Sequence, residues 1–315
     1  MTVVEGAVLE EVRDLRWRSH NEGLSRQAYG RWHTAQLKSP WVRGAQRPCV
    51  LFNGRTIRAS AERYDLDGVL DGRNIRICAI GSVMASRVSE DVTAAPELID
   101  GLVADGARDG AVIALLFLSP DLLATIPHDW VIPSVDLTLR VTESTRHGAP
   151  MATVRVGEER DLAAIAAMGQ VRAAPLRFHL DRDRDFIRYV ISRKRLLSGL
   201  GPAHARQLHF FIAEEGITAA AYVVLSVVGR TWTLEECGDR DPTGARVGAL
   251  LQALIAREPS QERPVIRGWL PPGFLPPQVT IVSSSPGGIV AVRLLGAAPP
   301  PLGADDVLYW RNDLL

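Results

Sequence analysis

Residues 234–251 read LEECGDRDPTGARVGALL. A strand-like run ends in Asp, Arg, Pro, Thr and Gly, and an amphipathic stripe follows at once. Val247, Leu250, Leu251, Leu254 and Ile255 stand at i, i+3, i+4, i+7 and i+8, the spacing of one helix face. Two readings of the turn compete. In one, Thr243 or Asp241 caps an ordinary helix and Gly244 only permits the turn. In the other, glycines expose backbone N–H groups at a helix N-terminus, where the positive dipole end holds a phosphate.

The flanking sequence bears on the choice. LHFFIA (208–213), ITAAAYVVLSVV (217–228) and TWTLEE (231–236) read as three antiparallel strands before the loop, and VIRGWL (265–270) as a strand after its helix. MATVRVGEERDLAAIAAM (151–168) leads in as strand, turn and helix, with Asp161 as a cap. The first half runs in the same order. RPCVLF (47–52), TIRASAERYDL (56–66) and IRICAIGSVMA (75–85) are strands separated by NGR and DGVLDGRN turns. A helix from Pro96 to Ala107 then carries Leu98, Ile99, Leu102 and Val103 on one face, and AVIALLFL (111–118) is the next strand. The polar stretch TESTRHGAP (142–150) separates the halves. The expectation is an α/β protein of two tandem copies, 1–145 and 151–315, each a mostly antiparallel sheet flanked by helices. A length of 315 residues suits two domains of about 150 each.

Composition narrows the partners. Apolar residues make up 46% and charged residues 23%, the balance of a globular chain. Lys+Arg and Asp+Glu are equal at 36, so no overall field recruits nucleic acid or an anionic membrane. MTVVEGAVLEEVRDLRWRSH lacks the apolar core of a signal peptide, and AVIALLFL is too short to span a bilayer. Cys49, Cys78 and Cys237 are odd in number and widely spaced, which argues against a disulfide framework and for a cytoplasmic setting. The seven histidines show no ligand spacing, so no metal is expected.

The repeated order, with VRVGEERDLAAIAAM and DPTGARVGALLQAL in the second copy and IRICAIGSVMASR in the first, resembles the GNAT superfamily of acyl-CoA-dependent N-acyltransferases. The resemblance covers nearly the whole chain. It implies acetyl-CoA as co-substrate, with its pyrophosphate on the 238–248 loop. The implied contacts are Cys237, Gly238, Gly244, Ala245, Arg246, Val247, Gly248 and Ala249. The Gly-Ala-Arg-Val-Gly spacing departs from the family's Arg/Gln-x-x-Gly-x-Gly/Ala pattern. The first copy has SEDVTAAPE (89–97) at the equivalent place, with no glycine and with Glu90 and Asp91, and is expected to bind the coenzyme poorly.

Acyl transfer to an amine also needs a base and a donor for the oxyanion. The resemblance puts the donor among the backbone amides near Glu236, Cys237 and Gly238. Glu235 and Glu236 are adjacent, so on a regular strand only one faces the cleft. Glu236 is the first candidate for the base and Glu235 the second. Neither copy has a tyrosine after the strand that follows the loop helix, where many members place a general acid. Tyr309 is a distant substitute, and Tyr222 reads as packing. Arg193, Lys194 and Arg195 are the most basic spot, within a helix that otherwise reads as ion-paired. PPGFLPPQ (271–278) reads as a rigid loop lining a cleft. Two functions stay open: an acetyltransferase acting on a small-molecule or peptide amine, and a catalytically silent module that binds coenzyme, a small ligand or a partner protein.

Overall fold

The computed structural model describes residues 2–3, 6–85, 92–142, 153–202, 205–259, 263–296, 301–308 and 313. The linker from residue 143 onward, Glu90, Asp91 and Tyr309 lie outside them.

The first half supplies β1 (Thr2–Val3), β2 (Gln46–Asn53), β3 (Thr56–Leu70), β4 (Arg73–Ala85), β5 (Ile113–Phe117) and β6 (Trp130–Val141). Its helices are α1 (Gly6–Ser19), α2 (Arg26–Leu37), α3 (Pro40–Ala45), α4 (Ala94–Arg108) and α5 (Pro120–Leu123). The second half supplies β7 (Thr153–Val156), β8 (Phe178–Leu180), β9 (Gln207–Glu215), β10 (Thr218–Val228), β11 (Thr231–Asp239), β12 (Val265–Gly268), β13 (Val279–Leu294) and β14 (Val307–Leu308). Its helices are α6 (Leu162–Ala173), α7 (Arg184–Leu200) and α8 (Ala245–Ile255). The turn between β3 and β4 shows how local chemistry sets the hairpins. Asp71 and Gly72 both take positive φ, 48° and 74°, as a two-residue turn of the right twist requires.

Twelve of the strands form one hydrogen-bonded path, β1-β2-β3-β4-β5-β13-β6-β12-β11-β10-β9-β7, and β8 joins it sideways by pairing with β3 and β14. It is a mixed sheet, in which β4 with β5, β11 with β12 and β8 with β14 are parallel. The halves exchange strands at the centre. β13 pairs with β5 of the first half, β6 pairs with β12 of the second, and β6 and β13 pair with each other. The sheets of the two halves thus join into a continuous one, because β6 and β13 each pair with the other half as well as with each other.

Burial follows the amphipathic stripes. Leu98, Ile99, Leu102 and Val103 of α4 pack on Cys78, Ile80, Ala114 and Leu116. Val247, Leu250, Leu251 and Leu254 of α8 pack on Val223, Leu234 and Cys237. The other side of β10 meets α6 and α7 through Tyr222, Val224, Ile187 and Val190. Helix α2 bridges the halves, with Tyr29 and Trp32 against Leu197 of α7. Among the described residues no helix is long and apolar enough to cross a membrane.

Candidate functional site

Each half contains a parallel strand pair that stops short. β4 pairs with β5 through Ile77–Ile80, and β11 with β12 through Thr231–Leu234. Beyond those points β4 runs on to Ala85 and β11 to Asp239 without that neighbour. Each continuing strand also carries a bulge at the point of parting. Glu62 pairs with Gly81 and Ser60 with Met84, so Ser82 and Val83 together oppose Ala61. In the second half Glu235 is the extra residue between Leu234 and Glu236. Ser82 adopts φ 51°, an uncommon conformation for a non-glycine residue.

The second split is filled. The Asp239 carboxylate accepts from the amides of Arg246 (2.8 Å) and Val247 (3.2 Å) in the first turn of α8, and from Asp241 N (2.9 Å). A protein carboxylate therefore occupies the anion position that the helix N-terminus offers. Burial raises the Asp239 pKa above the usual carboxylate value, and the three amides and Arg246 oppose that shift. The Arg246 fork is committed to Glu215, with Nε 2.6 Å from Oε1 and Nη2 3.0 Å from Oε2, and its Nη1 lies 3.3 Å from Asp239. The proline-rich segment closes the outside. A Cβ at Gly244 would meet the Phe274 ring, and one at Gly248 would meet the Gln278 amide. Gln278 donates to the Ala245 carbonyl, and the Arg172 guanidinium stacks 4.4 Å from the centroid of Phe274.

In this structure the residues expected to form a pyrophosphate cradle are engaged within the chain. Arg246 faces two acids of its own chain. Gly244 and Gly248 make room for residues 271–278. Val247 is core, Ala245 and Ala249 are half-buried on α8, and Gly238 lies against the Tyr222 ring. Cys237 is a packed thiol that burial pushes above its ordinary pKa.

Glu236 is fully buried and engaged from several sides. Arg182 gives it two parallel bonds of 3.0 and 2.7 Å, and the Tyr222 hydroxyl donates at 2.6 Å. Arg182 also lies 3.0 Å from Asp313, itself buried near the C-terminus. Burial pulls the Arg182 pKa down, but Asp313 and Glu236 outweigh it and the net shift is upward. Tyr222 is pushed well up, first by burial and then by the Glu236 charge. A carboxylate held this way is an anchor, since both oxygens already accept and no solvent reaches it. Glu235 is also buried and meets Lys194 of α7 at 3.2 Å. The bulge sends both carboxylates toward the α7 side and defeats the alternation expected of a regular strand. The basic spot is committed too, Lys194 to Glu235 and Arg193 to the Trp32 ring at 5.7 Å.

The first split is open. A cavity of about 310 Å³ lies between the ends of β4 and β5 and helices α1 and α2, lined by Arg16, His20, Tyr29, Ser82, Val83 and Phe117, among others. Burial raises the Tyr29 pKa, so the phenol keeps its proton at neutral pH. The bulge of the first half falls at Ser82–Val83, just beyond Gly81. Helix α4 begins without a side-chain cap, carries Pro96 in its first turn, and has Glu97 beside it. Sequence reasoning missed Asp239, Arg182, Asp313, Tyr29 and Arg16. Only Asp239 had a local signal, a carboxylate at a strand end just before a helix.

Solved structures share this architecture. A conserved protein of unknown function from Enterococcus faecalis V583, described as a probable N-acyltransferase, aligns with a TM-score of 0.67 at 11% identity, covering 93% of this chain and 72% of that one. A GCN5-related N-acetyltransferase from Kribbella flavida aligns at 0.66 and 15% identity, over 93% and 70%. Eis1 from Mycobacterium abscessus aligns at 0.57 and 14%, over 93% and 73%. The chain therefore has the fold of the GCN5-related N-acetyltransferases. No family model and no curated protein matches it.

Proposed function

We propose that the chain is an acyl-CoA-dependent N-acyltransferase whose working cleft is the split of the first half, the second half serving as a scaffold. The observation that carries this is the open cavity where β4 leaves β5, beside a bulged strand. A bulge takes a backbone group out of the ladder. At Ser82–Val83 such an N–H serves as donor to the oxyanion of a thioester under attack. The neutral amine nitrogen bonds to the acyl carbon and gives up a proton to solvent, the carbon–sulfur bond breaks, and the thiolate takes a proton from a donor that solvent then reprotonates. Tyr29, protonated and bordering the cavity, is the group assigned to give it. Acetyl-CoA is the acyl donor to test first, and the neighbours named N-acetyltransferases support that choice.

The test is calorimetric titration with acetyl-CoA, followed by thiol release in the presence of amines. Val83→Trp should fill the cavity and abolish both signals, while Arg246→Gln should change neither. Tyr29→Phe should lower kcat by about a hundredfold. Turnover that survives Val83→Trp but is lost in Arg246→Gln would refute the assignment.

One observation favours a second reading, a non-catalytic module on the same fold. Neither half presents its loop helix as a plain phosphate site. The amides of α8 serve Asp239, and α4, though uncapped by a side chain, carries Pro96, which has no N–H, and Glu97 in its first turn. Absence of acetyl-CoA binding to the parent protein would select this reading.

A further inference from the structure

Helix α2 turns one face inward and leaves the other bare. Tyr29, Trp32 and His33 are buried, with Tyr29 and Trp32 against Leu197 of α7. On the outer side, α2 and Arg13 of α1 border a groove of about 740 Å³. Its floor includes the small residues Gly30, Thr34 and Ala35, and its cations are Arg13, Arg26, Arg31 and Lys38. Arg13 pairs with Glu10 and Arg26 with Asp14. Arg31 and Lys38 are exposed and have no carboxylate partner among the described residues.

The charge is concentrated here by the sequence. From residue 23 to residue 61 the chain carries seven Lys or Arg and no Asp or Glu, although the two kinds are equal over the whole chain. Local excess of one sign attracts a ligand of the other, whatever the net charge. The layout decides which ligand. Arg26 opens α2 and Lys38 caps its end, so they stand about 18 Å apart along the axis. That is too far to converge on one phosphate, and it matches roughly five or six residues of extended peptide. Glu10 and Asp14 offset two of the four cations, which leaves a surplus suited to a few carboxylates spaced along a chain. A nucleic acid strand carries a charge about every 3.4 Å and would press phosphates against both acids. Among the described residues the groove also has no aromatic ring in its lining on which a base could stack.

We propose that the groove between α1 and α2 docks an acidic peptide segment of a partner protein. Gly30, Thr34 and Ala35 let its backbone lie close to α2, and Arg31 and Lys38 pair with its carboxylates. The groove shares no lining residue with the cavity of the first split, and the proposal does not depend on the acyltransferase reading.

The experiment is fluorescence anisotropy on the full chain with three probes carrying the same label: a hexapeptide of alternating Glu and Ala, its Gln and Ala counterpart, and a hexauridylate. At low salt the acidic peptide should bind at least about tenfold more tightly than the neutral one, and added salt should narrow the gap. Arg31→Gln combined with Lys38→Gln breaks no ion pair of the folded chain and should weaken the acidic peptide by about tenfold. Arg240→Gln, at an exposed cation outside the groove, should leave binding as it is. The proposal is overturned if the acidic peptide does not bind, if the two peptides bind equally, or if the double variant binds as the parent does. It is also overturned if Arg240→Gln weakens binding as much as the double variant. Hexauridylate binding that is tighter than that of the acidic peptide, and lost in the double variant, would assign the groove to a nucleic acid instead.

Discussion

In the first half, β4 leaves β5 after Ile80, and the space beyond is a cavity walled by α1 and α2. In the second, β11 leaves β12 after Leu234, and Asp239 takes the helix amides while Phe274 and Gln278 cover the glycines. The strand pattern is the same, and so is the bulge at the parting point. The difference lies in what the chain places into the gap. A loop with the residues of a phosphate cradle can be satisfied internally, and a loop without them can stand beside an open cleft. A glycine next to a helix start thus reports a close approach without saying what approaches.

The largest effect expected from breaking this contrast is at the filled split. Glu236→Ala leaves the Arg182 cation buried without its two parallel bonds, so unfolding in urea should show a loss of about 3–5 kcal/mol. A loss below about 1 kcal/mol would mean that the network is not an anchor.

Next is acid sensitivity in the wall of the open split. Burial, and then the charges of Arg16 and Arg13, push His33 down to about 4. The unfolded chain takes up that proton near about pH 6.5, so between there and about 4 the unfolded state binds more protons. Stability should therefore fall as pH drops through that window and level off below it, by up to about 3 kcal/mol. His33→Gln should remove that part of the slope, and an unchanged slope would contradict the assignment.

A smaller effect is expected at the cap. Asp239→Ala frees the first amides of α8 and should cost about 1–2 kcal/mol of stability. Acetyl-CoA affinity should not rise, because the 271–278 segment still covers the loop. A gain in affinity would show that Asp239 alone had closed the site. The smallest effect is at Arg246, where replacement by Met removes a partly exposed pair with Glu215 and the longer 3.3 Å contact with Asp239, whose three backbone amides remain, and should cost about 1 kcal/mol.

Much of the fold was legible because it is written in local periodicity. The stripes on α4 and α8, the NG and DG turns, and the repeated order of strands each announce an element. The strand exchange was not legible, since nothing in the sequence of β6 or β13 names its partner and pairing is decided by the assembled sheet. The site was legible in place but not in state. The position of the 238–248 loop was readable, and its self-capping by Asp239 was not, because Asp241 and Thr243 carry the same chemistry at nearer positions. Arg182, Asp313 and Arg16 act across long sequence separations, and an isolated arginine or aspartate carries no such mark. The pairing of Glu235 and Glu236 with one flank depends on a bulge that a regular alternation hides.

Hydrogen–deuterium exchange with and without acetyl-CoA compares the two splits most directly. The account predicts new protection at residues 81–85 and 117–119 and no change at 239–248. Protection confined to 239–248 would contradict it and return the cofactor to the second half.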